Sequence, residues 1–190
     1  MEPIKIAIPN ELFSPAEMAH FEGEADLGVL KAGPDLYTFT APLAWSADIT
    51  NTGDALLVTG TAEGEAVTSC ARCLEDVTLP VTGDIEGYFL IGGEDAEAPE
   101  DMDEDEFDVL PADNKIDLAP LITAAVLLEV PLVPLCRDDC QGLCTACGAN
   151  LNEGPCGCGP AAADDVDAAN PFAVLKGLDL GAEAPEGAAE

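Results

Sequence analysis

Ile4, Ile6 and Ile8 alternate with other residues at the amino end, the two-residue period of a short strand. Ser14-Pro15-Ala16-Glu17 then has the form of a helix start, with serine as N-cap and proline in the first turn. From about residue 21 to 91 the pattern is that of strands. Asn51-Thr-Gly53-Asp54 is a turn signal between two β-prone runs, Leu43–Ile49 and Ala55–Thr61. Between Leu57 and Val67, threonine and small residues alternate with acids, which predicts a long strand with one wet face. Val77 to Ile91 resumes the strand pattern, and its proline and glycines predict an edge position or bulges. Cys70-Ala-Arg-Cys73 lies between these two runs, at a predicted hairpin tip.

The pattern breaks at residues 92–114. Eleven acids and no base fall between Glu94 and Asp113, the composition of a solvated, disordered loop or, alternatively, of a mimic of nucleic-acid charge. Asp117 then reads as a helix N-cap with Pro120 in the first turn, opening a helix over about 117–130. Leu118, Leu121, Ile122, Ala125 and Leu128 recur at helical spacing and give it one apolar face for the sheet to cover. Pro131 and Pro134 end it and lead into a run of cysteines. Asn170-Pro-Phe-Ala-Val-Leu-Lys-Gly-Leu178 has the pattern of a short helix docking Phe172, Val174 and Leu175, ahead of a loose tail.

These elements predict an α+β fold: an antiparallel β meander or partly open barrel, one or two packed helices, and a C-terminal cysteine-rich zinc-knuckle module. The β-rich part covers 1–135, the cysteine-rich module 136–159, and a linker, short helix and tail 160–190.

Charge narrows the choice of partner. The formal net charge is −32, with 38 acids against six bases: Lys5, Lys31, Arg72, Lys115, Arg137 and Lys176. Phosphate-backbone binding needs lysine and arginine to displace counterions, and no basic stripe exists here. The same charge attracts a basic protein and speeds the encounter, and it also keeps a chain soluble whatever its partner. No apolar run reaches the roughly 18 residues of a membrane helix, and the amino end lacks the pattern of a secretory signal. A reducing cytoplasm is the resulting expectation, with thiols kept available as ligands.

Eight cysteines carry the candidate chemistry: Cys70-x2-Cys73 upstream, then Cys136-x3-Cys140-x3-Cys144-x2-Cys147 and Cys156-x-Cys158. An all-sulfur tetrahedral set selects zinc or iron, zinc being the commoner structural ion, so one or two Zn²⁺ sites are expected. Cys144, Cys147, Cys156 and Cys158 form a local 15-residue unit that closes at small loop entropy. The remaining four, Cys70, Cys73, Cys136 and Cys140, make a second site stapling the hairpin tip to the segment after the helix. The rival partition pairs Cys70/Cys73 with Cys144/Cys147, as in a zinc ribbon. A disulfide framework, a thioredoxin-like redox pair and an iron–sulfur cluster fit less well. His20 stands 50 residues from the nearest cysteine and reads as a surface side chain. No Gly-rich phosphate loop, nucleophile elbow or HExxH motif is present, so neither an enzyme nor a small-molecule substrate is expected.

Cys70-Ala-Arg-Cys73-Leu-Glu, the acidic insert, Ile116-Asp-Leu-Ala-Pro-Leu-Ile, the stretch Pro131 to Cys158 and Asn170-Pro-Phe-Ala-Val-Leu-Lys176 together resemble the bacterial YceD family, the large ribosomal RNA subunit accumulation proteins. The resemblance covers roughly residues 20–178 and is strongest in the cysteine segment. It implies a cytoplasmic, non-enzymatic part in accumulating or processing large-subunit rRNA. Combined with the charge, it points to a zinc-stapled scaffold holding a basic ribosomal protein or assembly factor, with rRNA affected indirectly. Two other functions stay open: direct rRNA binding through a patch near Arg72 and Arg137, and a redox-responsive zinc switch. Pairing of those arginines with acids such as Glu75 and Asp138 is the plainer reading of both.

Overall fold

The computed structural model describes residues 1–93, 102 and 106–158 and divides the chain into two compact units, Met1–Cys140 and Gln141–Glu190. In the first unit the chain runs β1 (Lys5–Ala7), a 3-10 turn (Asn10–Phe13), β2 (Met18–Ala25), β3 (Val29–Ala32), β4 (Asp35–Thr38) and β5 (Leu43–Asn51). It continues as β6 (Ala55–Ser69), β7 (Asp76–Leu90), β8 (Asp108–Val109), β9 (Lys115–Asp117) and α1 (Ala119–Glu129).

The main sheet is antiparallel except for the short β7–β8 pairing, and it is open rather than closed into a barrel. Strand β6 is its spine. One edge of β6 carries β5 and, farther along, β4 with β3; the other edge carries β7. β6 and β7 are paired without interruption from Ala55↔Leu90 to Ser69↔Asp76, so the two runs form one long hairpin with Cys70-Ala-Arg-Cys73 at its tip.

No bulge interrupts that ladder, so of the two alternatives its proline and glycines offered, the edge position is the one observed. The glycines serve the helix: a Cβ at Gly83 would lie 2.5 Å from the Ala125 backbone, and one at Gly87 2.7 Å from a Leu121 methyl. On the outer side of β7, β8 pairs only with Phe89 and Leu90. The Leu90 carbonyl accepts from Leu110 N–H at 2.9 Å, so backbone groups of the even-numbered β7 residues point away from β6. Pro80 belongs to that outward set, where a missing N–H costs the β6 ladder nothing.

The core lies between the inner sheet face and a cover made of α1, the β1–β9 pair and the 3-10 turn. β5 alternates strictly, with Leu43, Trp45, Ala47, Ile49 and Asn51 all buried. α1 packs on β7 and β6 through Ala119, Ile122, Ala125 and Val126. Leu128, predicted on the buried face, is 83% exposed, and Val126 takes the core position. The helix is apolar on nearly every side, so spacing alone does not select its inner face.

Asp117 ends β9 rather than capping as the residue adjoining the helix. Its carboxylate still accepts from the N–H groups of Ala119 (3.0 Å) and Ile4 (2.9 Å), joining helix start to the amino-terminal strand. The helix predicted at Ser14 does not form. Ala16 is left-handed at φ 67°, and its N–H donates to Asn51 while Asn51 N–H donates to Glu17. The buried Asn51 amide also donates to the Leu12 carbonyl at 2.6 Å, so tertiary hydrogen bonds override the local capping signal. Most of the acidic insert and the expected helix near 170–178 lie outside the described residues.

Candidate metal centres

The β6–β7 hairpin brings Cys70 and Cys73 to one end of the sheet, and the chain leaving α1 brings Cys136 and Cys140 to the same place. Two tethers hold that exit segment. Tyr37, fully buried on β4, donates its hydroxyl to the Pro131 carbonyl. Ala71, inside the hairpin turn, donates its N–H to the Pro134 carbonyl at 2.8 Å. The prolines stop the helix, and their carbonyls anchor the chain that delivers Cys136.

The Cys70 and Cys140 sulfurs are then 3.8 Å apart, those of Cys73 and Cys136 3.6 Å, and all four lie within 4.8 Å of one another. A tetrahedral ion with Zn–S bonds of about 2.3 Å requires sulfur separations of about 3.8 Å, whereas a disulfide requires about 2.0 Å. All eight cysteines are free thiols. Cys70, Cys73 and Cys140 are buried, and Cys136 is the least covered of the four.

The turn is built to stabilise thiolate. Burial pushes the Cys70 thiol up, but N–H groups of Cys73, Arg72 and Cys136 aimed at its sulfur outweigh this and hold it at about 6, against an ordinary 9.0. The Glu75 N–H lowers the Cys73 thiol, but burial and the neighbouring sulfurs outweigh it and raise Cys73 to about 12. Burial, then the Cys140 sulfur, raises Cys136 as well. With one thiolate formed, these neighbours keep their protons.

Arg72 also stands in this turn, and its guanidinium donates to the Cys140 carbonyl at 2.9 Å. Arg137 pairs with Asp139 at 3.5 Å. Arg137 thus pairs with a nearby acid, as spacing suggested, though with Asp139 rather than Asp138. His20 lies exposed on β2, 2.7 Å from the Asp48 carboxylate, and belongs to neither cysteine group.

In the second unit, the sulfurs of Cys144, Cys147, Cys156 and Cys158 likewise lie within 4.8 Å of one another. The sulfurs therefore group by these two sets, not in the ribbon pairing. A small hairpin carries this set: Leu143 bridges Asn150, Leu151 N–H donates to Gly142, and Gln141 N–H donates to the Asn152 side chain. N–H groups of Ala146 and Cys147 lower the Cys144 thiol to about 6. Here Cys147 and Cys158 are exposed.

Either group of four could hold a metal ion. Sequence reasoning missed the supporting parts: Tyr37 and the two proline carbonyls carry no motif. Leu74 was legible only by aligning the two Cys-x2-Cys turns, where it stands in the place of Gly148.

An open antiparallel sheet with a cysteine-tethered hairpin tip, followed by a second four-cysteine unit, is the class of protein that fold and site define. The chain belongs to the family described as "Large ribosomal RNA subunit accumulation protein YceD", whose profile matches residues 58–179. An uncharacterized protein of Mycobacterium tuberculosis is 38% identical over 109 residues, covering 56% of this chain and 50% of the relative. One from Mycobacterium leprae is 32% identical over 111 residues, 58% of this chain and 50% of the relative. The chain spans about half the length of these mycobacterial relatives. The chloroplastic YceD homologue 1 of Arabidopsis thaliana, named as a large ribosomal RNA subunit accumulation protein, is 39% identical over 56 residues, 30% of this chain and 17% of the relative. No solved structure matches the chain significantly. Family membership supports a ribosome-related role, and the family is described by what accumulates rather than by a reaction. Among the described residues no helix is long and apolar enough to cross a membrane.

Proposed function

We propose that the protein is a non-enzymatic, zinc-stapled scaffold of the cytoplasm that promotes accumulation of large-subunit rRNA by holding a basic ribosomal or assembly protein. The observation that carries this reading is the geometry of Cys70, Cys73, Cys136 and Cys140, whose 3.6 and 3.8 Å sulfur pairs match the edges of a zinc tetrahedron. An ion there ties residues 70 positions apart, so its binding free energy becomes folding free energy of the whole sheet. Cys144, Cys147, Cys156 and Cys158 take the second ion. The charge of −32 supports a basic protein partner over bare RNA. Of the two arginines that could contact RNA, Arg72 donates to the Cys140 carbonyl and Arg137 pairs with Asp139.

The test is zinc content per chain after purification under reducing conditions, with Cys70→Ser and Cys147→Ser alongside, and rRNA levels in cells carrying each variant. Two zinc ions per chain, one lost in each variant, and a fall in large-subunit rRNA with Cys70→Ser are expected. Metal-free protein, or normal rRNA in both variants, would reject the scaffold.

A further inference from the structure

Beside the first cysteine cluster the chain displays apolar side chains that nothing in the unit covers. Leu127 is 43% exposed, Leu128 83%, Leu132 89% and Val133 61%. They fall within one turn of helix and the segment just after it, with Glu129 the single charged residue among them. Exposed leucines scattered over a surface need no explanation. Four in a run of seven residues, on the same short piece of chain, are a different matter.

This piece of chain is also fixed in place. Its helical end packs on β7 through Ala125 and Val126, the Tyr37 hydroxyl holds Pro131, the Ala71 N–H holds Pro134, and Cys136 joins the cluster. The anchoring that delivers Cys136 also holds this segment in one place. A docking surface gains affinity, because side chains already ordered lose less entropy on binding.

We propose that Leu127, Leu128, Leu132 and Val133 form the docking surface for a basic protein segment bearing apolar anchors. The inference rests on the scaffold reading and names the surface through which the scaffold holds its partner. Charge selects the occupant. No lysine or arginine occurs between Lys115 and Arg137 in the chain, Arg137 is matched by Asp139 at 3.5 Å, and Arg72, in the turn that holds Pro134, donates to the Cys140 carbonyl. Glu129 lies inside the run and Asp138 just beyond it. Apolar side chains in a stretch that also carries these carboxylates complement a segment whose apolar side chains are flanked by lysine or arginine. A second copy of this chain, also at −32, would be repelled from the same surface.

The experiment measures binding of the zinc-loaded full-length chain to purified large-subunit ribosomal proteins, one at a time, at about 0.15 M salt. The wild type is compared with a Leu128→Asp/Leu132→Asp double variant and with Leu36→Asp, an exposed apolar control on β4 that is 55% exposed. The expected result is a basic protein whose affinity falls about tenfold or more in the double variant and holds in the control, with zinc content unaltered in both. Binding that responds to salt but not to the double variant overturns the proposal, as does binding to none of these proteins. So does a wild-type dimer in sedimentation that the double variant dissociates, which would make the occupant a second copy. Cellular rRNA separates this proposal from its parent: normal rRNA in the double variant and low rRNA in Cys70→Ser rejects the surface alone, whereas normal rRNA in both rejects the scaffold.

Discussion

The two four-cysteine clusters share one turn and differ in nearly everything around it. In the first, Leu74 N–H donates to the Cys70 carbonyl at 2.9 Å and Cys70 N–H to the Glu75 carbonyl at 2.8 Å. In the second, Gly148 N–H donates to the Cys144 carbonyl and Cys144 N–H to Ala149, both at 2.8 Å. Each turn directs its N–H groups toward a sulfur, and each lowers its leading cysteine to about 6. Their partners differ. Cys136 and Cys140 arrive from beyond a sheet and a helix, whereas Cys156 and Cys158 come from the same short hairpin. The same turn therefore stands in two settings: one cluster joins segments distant in the chain, the other joins segments of one short hairpin.

The largest expected effect comes from this difference. Structural zinc contributes on the order of 10 kcal/mol to the states it binds. Removing one ligand from the first cluster should therefore destabilise the sheet unit strongly. Cys70→Ser or Cys136→Ser should lower its thermal midpoint steeply, while Cys147→Ser should leave the sheet transition where it was. Calorimetry with zinc analysis of each variant makes the comparison. Equal effects from both clusters would mean that the second also supports the sheet.

Next in size is the order of metal loss. Cys70 and Cys140 are buried, and Cys147 and Cys158 are open to solvent, so a chelator or oxidant should take the second ion first. Acid acts on both. The Cys70 and Cys144 thiols have folded values of about 6 against 9.0, so their thiolates contribute stability that is complete above 9.0 and lost as pH falls through about 6. The raised Cys73 and Cys136 keep their protons below 9.0 in both states and add no slope there. A thermal midpoint of metal-free protein that fell from pH 9 to 6 would bear this out, and a flat profile would contradict it.

The tether supplies a smaller effect confined to one cluster. Tyr37→Phe leaves the Pro131 carbonyl without its donor, at a cost of about 0.5–1.5 kcal/mol, and loosens the segment that delivers Cys136. Denaturant unfolding should register that loss, and zinc affinity should fall at the first site alone.

Much of this was legible from local signals. The strand runs, the Asn51 turn and the hairpin tip depend on neighbours in sequence, which pattern and spacing report directly. The grouping of Cys70 and Cys73 with Cys136 and Cys140 followed once the other four were seen to close a local loop. What failed depended on distant chain. Ser14 reads as a cap, but Asn51 supplies the hydrogen bonds that decide its segment. Leu128 fits an apolar face, but the sheet chose Val126 from a helix apolar all round. Gly83 left edge position and bulge open, and only the Ala125 backbone, too close for any Cβ, shows why a glycine stands there. Tyr37 and the proline carbonyls carry no sequence signal, because a hydroxyl reaching a main-chain oxygen requires only proximity.

The smallest effect tests whether the two turns are equivalent at the left-handed position, where one carries a Cβ and the other does not. Leu74 and Gly148 both come directly after the second cysteine of their turn, at φ 63° and φ 73°. A left-handed residue with a Cβ costs about 1–2 kcal/mol, and glycine escapes that cost. The second turn has the permissive residue. The first holds leucine there with its side chain 66% exposed, so little burial offsets the strain. Exchange should then act in opposite directions. Leu74→Gly should stabilise the sheet unit by somewhat less than about 1 kcal/mol, since glycine also gains freedom in the unfolded chain. Gly148→Ala should weaken the second site by about 1 kcal/mol, read as faster zinc loss to a chelator. If Leu74→Gly instead destabilises, the exposed leucine has a contact that offsets its backbone strain, and the two turns are alike in hydrogen bonding but not in what their fifth residue does.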